Sequence, residues 1–135
     1  MFDPWADLAA LPNVSLYVRR LEGGTVGLTD GVSRIWLDDR LNEVELRCVL
    51  THEARHLALG HTGRQSVSIE MQVCQWAARR LISMEDLARV LPWSDDLYEL
   101  AAELYVTPQT LRDRLHGLTR EENQLLSSWE LMRAA

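Results

Sequence analysis

One stretch near the middle of the chain constrains the fold more than any other, because it combines the signals of a long helix with many polar groups. Asn42 followed by Glu45 is the pattern of a capping box, and Gly60 stands where a helix C-cap belongs. Between them, residues 51–61 read THEARHLALGH, in which three histidines, a glutamate and an arginine share eleven positions with apolar residues. The fold must bury one side of this helix and also accommodate its polar groups.

Two histidines four residues apart lie on one face of this helix. At about 3.6 residues per turn, His52 and His56 can both reach a single metal ion at about 2.0–2.1 Å. Glu53 projects about 100° away from His52 and lies beside such an ion, where a carboxylate can take a proton from metal-bound water. This HExxH spacing favours a metal site, and the simpler alternative is a pair of histidines on the helix surface.

A third metal ligand is expected from the next helix. Glu70 is the one acidic residue between His56 and Glu85, and it lies on an apolar stripe. The stripe continues with Val73, Cys74, Ala77 and Leu81. A carboxylate buried there without a cationic partner would be costly, and a divalent ion removes that difficulty. His52, His56 and Glu70 therefore form the expected ligand set of one catalytic Zn²⁺ with an open position; the alternative is a salt bridge from Glu70 to Arg80 or another arginine.

This ligand set predicts a hydrolytic enzyme. Zn²⁺ lowers the pKa of bound water toward about 7 and polarises the substrate carbonyl, while Glu53 accepts the water proton and returns it to the leaving amine. The reaction expected is peptide-bond hydrolysis. A second donor to the oxyanion usually assists the metal, and the sequence does not choose among the candidates. These candidates are Tyr98, Tyr105, Tyr17, His116 or an arginine.

Other residues near the motif are expected to stay outside the ligand set. His61 follows Gly60, so we expect it to point away from the ligand face as an exposed histidine at the helix end. The motif with Gly60 and His61 also does not match the longer HExxHxxGxxH pattern, which argues against a three-histidine metzincin site. Cys48 and Cys74 each lie one turn from a proposed ligand, and a thiolate ligand would close the site and make it structural. Buried apolar packing is favoured for both.

Upstream of the helix, the pattern favours strands and turns. Asp3 and Pro4 favour the start of a short helix over WADLAAL, which Pro12 ends. The segments VSLYVRRL, LEGGTVGLTDG and VSRIWLDD combine apolar residues with turn signals, and VSRIWLDD, residues 32–39, is the clearest strand. Together they predict a small, curled antiparallel sheet.

Downstream, every segment reads as helix. A second helix is expected from about Ser68 to Ile82, followed by shorter ones over MEDLARVL, DDLYELAAELYV and TPQTLRDRLHGL and a last one from Thr119. The predicted fold class is α+β, with a core over residues 1–83 that carries the site. A helical, helix-turn-helix-like subdomain over residues 84–135 is expected to pack on that core.

Composition and charge argue against several classes. The chain has 135 residues, 47% of them hydrophobic, which is enough for one compact domain with a core. Its net charge of -6 opposes a broad electrostatic grip on nucleic acid or anionic lipid. No segment has the roughly 18 apolar residues of a membrane span, and the N-terminus lacks a signal-peptide pattern. We therefore expect a cytoplasmic protein that does not bind membranes, with Cys48 and Cys74 as reduced thiols.

The helix-turn-helix-like segment raises the question of DNA binding. Thr107 and Pro108 favour a helix start there. The residues that could read bases are Gln109, Thr110, Arg112 and Arg114. Residues 85–106 contain six acidic residues against Arg89 alone, however, and these acids would face the phosphates. Direct DNA binding is not expected, and the segment is interpreted as a scaffold that shapes a cleft or docks a protein partner.

With this motif and its flanking segments, the chain resembles the ImmA/IrrE family of small zinc peptidases. The likeness runs from RIWLDD through ELRCVLTHEARH and EMQVCQWAARRLIS into the helical C-terminus. It implies a zincin-like, gluzincin-like metallopeptidase core, with zinc bound by His52, His56 and Glu70 and with Glu53 as the base. The chain departs from the commoner family pattern with Cys74 where asparagine is frequent and with Ser83 where proline often ends the helix.

The resemblance also implies a substrate. Family members typically cleave a helix-turn-helix transcriptional repressor and thereby release phage, mobile-element or stress genes. We expect one exposed segment of the repressor to lie as an added strand along the sheet edge near Ile35 to Asp38. The alternative is a non-catalytic anti-repressor that binds and sequesters the repressor. Replacement of Glu53 by Gln separates the two, because it abolishes cleavage in the first case and leaves derepression intact in the second.

Overall fold

The computed structural model describes the backbone of residues 1–134 and the side chains of residues 1–129, and it has an α+β fold. The helices are α1 (Pro4–Ala9), α2 (Glu43–Ala58), α3 (Val67–Leu81), α4 (Met84–Val90), α5 (Leu97–Glu103), α6 (Pro108–His116) and α7 (Arg120–Ala134). The strands are β1 (Ser15–Arg19), β2 (Gly27–Thr29) and β3 (Arg34–Asp38). Every predicted helix is present, with ends within a few residues of those expected. No helix in the described part of the chain combines the length and apolar character needed to cross a bilayer.

The sheet is mixed, so the expectation of an antiparallel sheet was wrong. Its strand order is β1-β3-β2, with β1 parallel to β3 and β2 antiparallel to β3. β2 and β3 form a hairpin, and its turn is stabilised by the Asp30 carboxylate, which accepts hydrogen bonds from three backbone N–H groups that follow it. The glycines between β1 and β2 instead serve a connection that passes to the other edge of β3.

This strand order also corrects the expected docking edge. β3 contains Ile35 to Asp38 and is the central strand, so both of its edges are already hydrogen-bonded. No partner strand can be added there. The free edge next to α2 belongs to β2.

The sheet packs on α2 through one apolar cluster. Ile35 and Leu37 of β3 are fully buried against Leu50 and Leu57 of α2, together with Leu8 of α1. Burial of each large aliphatic side chain contributes about 1.5–3 kcal/mol. This cluster fixes the side of α2 that faces the sheet, and so determines which side remains for the histidines.

A second apolar cluster joins α3 to the helices that follow it. Its buried members are Cys48, Leu81, Ile82, Leu87, Val90, Leu100, Ala101, Leu104, Val106 and Leu111. Cys48 is therefore core packing, as predicted. α6 lies directly against α3, so the C-terminal helices are held against the helix that carries Glu70.

The contacts of α6 oppose a role in reading DNA. Arg114 is buried and donates hydrogen bonds to the Ile82 carbonyl and to the Glu122 carboxylate. Gln109 and Thr110 line a cleft shared with α2 and α3. Arg114 is therefore not available for base contacts, and Thr110 is half-buried at the cleft.

Both ends of α2 form as the sequence predicts. Asn42 and Glu45 make a complete capping box, with the Asn42 side chain accepting from the Glu45 N–H and the Glu45 carboxylate accepting from the Asn42 N–H. At the other end, Gly60 has φ of +69°, and the N–H of His61 donates to the carbonyl of His56. This closure turns the chain back over the last turn of the helix.

Candidate metal centre

The two helices that carry the predicted ligands lie side by side. His52 and His56 occupy the C-terminal half of α2, and Glu70 occupies the first turn of α3. Ser66 caps α3 by accepting a hydrogen bond from the Ile69 N–H, which fixes where that first turn begins. The three predicted ligand residues are therefore brought to one place by secondary structure that the sequence itself specifies.

The donor atoms of these side chains converge. The Nε2 atoms of His52 and His56 are 3.1 Å apart. The Glu70 carboxylate lies 3.1 Å from His52 Nε2 and 3.0 Å from His56 Nε2, through its two different oxygens. One donor atom from each residue lies within 4.8 Å of the others, an arrangement that could hold a single metal ion.

The donor set fits zinc. A tetrahedral zinc site with bonds of about 2.0–2.1 Å separates its donors by about 3.3–3.4 Å. The observed separations of 3.0–3.1 Å reach that arrangement with a small outward movement of each side chain. Each ring nitrogen also has a lone pair unless it carries the proton, so the two close Nε2 atoms require a proton or a cation between them.

The state of Glu70 differs from the expectation. Its side chain is 42% exposed, so the carboxylate is not sealed in an apolar stripe and the predicted cost of burying it was overstated. The proposed salt bridge to Arg80 is also wrong, because Arg80 pairs with Asp7. The charged contacts of Glu70 run instead to His52 and His56.

The electrostatic setting keeps His52 neutral. Burial, followed by the proximity of His56, lowers the pKa of His52 below its ordinary value even though Glu70 acts in the opposite direction. A neutral imidazole is the form that binds a metal ion. The buried face of α2 therefore prepares this histidine as a ligand.

Glu53 lies beside the three donors and outside their cluster. Only 8% of the residue is exposed, and its carboxylate packs against Gly27 of β2. Burial raises the pKa of Glu53 to about 7, and the negative charge of Glu70 adds to that shift. A carboxylate that gains and loses a proton near neutral pH suits general base and acid catalysis.

Two neighbouring side chains behave differently from the expectation. His61 does not point away: its Nδ1 lies 2.9 Å from His56 Nδ1, because the turn at Gly60 folds it back over α2. Cys74 is half-buried and not core packing; its Sγ lies 3.8 Å from His52 Nδ1, the ring nitrogen on the far side from the cluster. Burial raises the pKa of the Cys74 thiol. Both residues therefore contact the proposed ligands from behind.

The candidate oxyanion donors differ in their contacts and in their distance from the proposed ligands. Tyr17 stacks on Trp36 across the sheet, Tyr105 donates its hydroxyl proton to Glu43, and Tyr98 is 67% exposed on α5. His116 lines a cleft that also contains Glu70, and an arginine, Arg64, lines the same cleft. His116 and Arg64 therefore share a cleft with a proposed ligand.

Neither the role of Gly27 nor the position of His61 was predictable from the sequence. A glycine three residues before a strand turn carries no chemical signal, and only the packing of β2 on α2 shows that Gly27 makes room for Glu53. Comparison of the chain with protein-family models, curated proteins and solved structures finds no match. The assignment of the site therefore depends on its own geometry and chemistry.

Proposed function

We propose that the protein is a zinc-dependent endopeptidase in which His52, His56 and Glu70 hold the metal ion and Glu53 is the general base. The observation that carries this proposal is the convergence of three donor groups, at 3.0–3.1 Å from one another, next to a buried carboxylate. Two imidazoles and one carboxylate leave one position of a tetrahedral ion open, as hydrolytic zinc sites require.

When bound, zinc would supply Lewis-acid polarisation of the scissile carbonyl and a lowered pKa for the attacking water. The protein's own residues do the rest. Glu53 accepts a proton from that water and delivers it to the nitrogen of the leaving amine, a role that suits a pKa of about 7. His116 and Arg64, in the cleft beside Glu70, are the proposed donors to the developing oxyanion.

The free edge of β2 supports a polypeptide substrate. β2 is an outer strand, and its Gly27 lies against the side chain of Glu53. An extended segment that added to this edge would run past the general base with its backbone held by hydrogen bonds. This edge replaces the one near Ile35 to Asp38, which the sheet itself occupies.

The proposed substrate is a helix-turn-helix transcriptional repressor, and the proposed family is ImmA/IrrE. The support for both is the sequence resemblance, whose ligand positions are the three residues of the cluster described above and whose base position, Glu53, lies beside it. Thr107, Thr110 and Asp113, from the C-terminal part of the chain, line the cleft that contains His52 and Glu53. This agrees with a role for the C-terminal helices in binding a protein substrate.

The decisive experiment combines metal analysis with cleavage. The protein is co-expressed with the transcriptional regulators encoded nearest its gene, and intact masses are compared for native protein and Glu53→Gln. Glu43→Gln is the matched control, because Glu43 lies on the same helix outside the cleft that contains Glu53, and glutamine can still accept the Tyr105 hydroxyl proton. Native protein and Glu43→Gln should cleave a regulator, and Glu53→Gln should not.

Metal analysis of the same samples tests the ligand set. Native protein and Glu53→Gln should contain one zinc per chain, and His52→Ala and Glu70→Ala should contain none. Glu85→Ala, an exposed acid elsewhere, should retain it. Zinc without cleavage, together with derepression that survives Glu53→Gln, would replace the enzyme by the sequestering anti-repressor.

A further inference from the structure

A cleft runs along α2 from the metal centre toward the C-terminal helices. Its volume is about 390 Å³, and residues of α2, α3 and α6 line it together with Val26 and Leu41 from the segments next to the sheet. His52 and Glu53 stand at one end of it. The cleft is therefore continuous with the site at which the proposed reaction takes place.

The walls of this cleft are apolar. Cys48, Ala77, Ala78 and Leu81 line it and are each no more than 8% exposed. No lysine or arginine lines it. An apolar group that enters this cleft is stabilised, because its surface is removed from water. A charged group gains no such stabilisation there.

Two of the three acidic side chains that line the cleft are engaged in other contacts. Glu45 accepts the N–H of Asn42 in the capping box, and Asp113 accepts a hydrogen bond from the side chain of Gln109. Both remain negative charges along the cleft, so they oppose the entry of an acidic side chain. The cleft thus selects for apolar character and against negative charge.

The proton path gives the direction of the substrate. Glu53 delivers its proton to the leaving amine, so the residue that carries this amine must lie on the Glu53 side of the site. The apolar cleft includes Glu53, whereas the neighbouring cleft that contains Arg64, Glu70 and His116 does not. The residue after the scissile bond therefore faces the apolar cleft.

We propose that this cleft binds the side chain of the residue directly after the scissile bond and selects a large apolar one, such as leucine, methionine or phenylalanine. The inference rests on the proposed endopeptidase function and adds the substrate preference. It also assigns a role to α6, since Thr107 and Thr110 close the cleft from the C-terminal part of the chain. Substrate choice at this position then depends on the helices beyond residue 83.

Binding of small zinc-directed probes tests the cleft without any need for turnover. Two peptide hydroxamates are compared that differ only in the side chain after the zinc-binding group, isobutyl in one and carboxymethyl in the other. Acetohydroxamate, which has no such side chain, reports on the metal alone. Kd values are measured by calorimetry on zinc-loaded native protein and on variants whose zinc content and thermal unfolding are recorded.

The native protein should bind the isobutyl probe at least about tenfold more tightly than the carboxymethyl probe. Ala77→Phe fills the cleft from α3, and Thr110→Phe fills it from the half-buried rim on α6; both should abolish that preference and keep acetohydroxamate binding. Ala102→Phe, an exposed alanine on α5, is the matched control and should behave as native. If Ala77→Phe does not fold, the probe affinities of Thr110→Phe alone test the inference.

Two results would overturn the inference, and they differ in what else they remove. Equal affinities for the two probes, or a preference that survives both filling variants while acetohydroxamate still binds, rejects the cleft and leaves the endopeptidase proposal standing. Absence of zinc, or failure of acetohydroxamate to bind zinc-loaded protein, rejects the proposed function and the cleft assignment with it.

Discussion

His56 and His61 meet through their Nδ1 atoms, which lie 2.9 Å apart. One of the two nitrogens must donate a proton to the other. When His56 offers Nε2 to a cation, its Nδ1 carries the proton and His61 is the acceptor. Gly60, with φ of +69°, turns the chain back to this position, and a Cβ at Gly31 would collide with the His61 carbonyl. The imidazole of His61 is thus held in place to orient His56.

Replacement of His61 should therefore weaken metal binding. Loss of a hydrogen bond to the outer nitrogen of a ligating histidine typically costs about 10–100-fold in metal affinity. We expect His61→Ala to weaken zinc binding by about tenfold or more, measured by competition with a chromophoric chelator. Leu59→Ala, which changes an exposed residue at the end of the same helix, is the control. Unchanged zinc affinity in His61→Ala would show that the contact between the two rings is incidental.

The helix and its ligands were predictable because their signals are local. The capping box, the glycine after the helix and the four-residue spacing of His52 and His56 each act within one or two turns. Glu70 was identified from its place on the apolar stripe of its helix, an equally local pattern, although its carboxylate is more exposed than that pattern implies. Such features depend on backbone geometry alone, and tertiary packing did not alter them.

The strand order of the sheet and the contact between His61 and His56 were not predictable, because both depend on residues that are far apart in the sequence. Whether β1 pairs with β2 or with β3 is decided by which partner lets Ile35 and Leu37 reach α2, a choice made by packing across the whole chain. The position of His61 depends likewise on the β2–β3 turn at Gly31, thirty residues earlier in the sequence. Residue types near His61 carry no signal of that contact.

Gly27 should be intolerant of a side chain. A Cβ there would lie 2.6 Å from Val49 Cγ1 and 3.0 Å from Glu53 Cγ, so Gly27→Ala must displace one of them. We expect overpacking to cost about 1–3 kcal/mol of stability and to shift Glu53 from its place beside the metal centre. Cleavage should fall by about tenfold or more while zinc content stays native, because no proposed ligand is touched.

The double variant tests that explanation. Val49→Ala removes the atom closest to the added methyl group, so Gly27→Ala combined with Val49→Ala should recover stability relative to Gly27→Ala alone. Chemical denaturation of all four proteins gives the coupling free energy. Purely additive effects would contradict the proposed collision.

Cys74 should not be a metal ligand. Its Sγ approaches Nδ1 of His52, and the ligand atom of that ring is Nε2 on the other side. Cobalt-substituted native protein should therefore lack the intense near-ultraviolet absorption of a cobalt–thiolate bond, and Cys74→Ser should bind zinc within about threefold of native. His52→Ala provides the comparison for true loss of a ligand. A thiolate band that disappears in Cys74→Ser would make the site closed and structural.

Glu122 should make the stability of the protein depend on acid. Hydrogen bonds from the Arg79 guanidinium, with help from the Thr119 N–H and Arg114, lower the pKa of Glu122 from 4.5 to about 2. Because the folded-state pKa lies below the unfolded value, this stabilisation is complete above about pH 4.5 and is lost as the pH falls toward 2. The expected loss is about 1–2 kcal/mol, reduced by solvent screening because Arg79 is 43% exposed.

Urea unfolding across this pH range tests the prediction. The native protein should lose its stability advantage over Glu122→Gln as the pH falls, and Glu121→Gln, which changes an exposed neighbour, should follow the native curve. A constant difference between native protein and Glu122→Gln at every pH would contradict the assigned pKa.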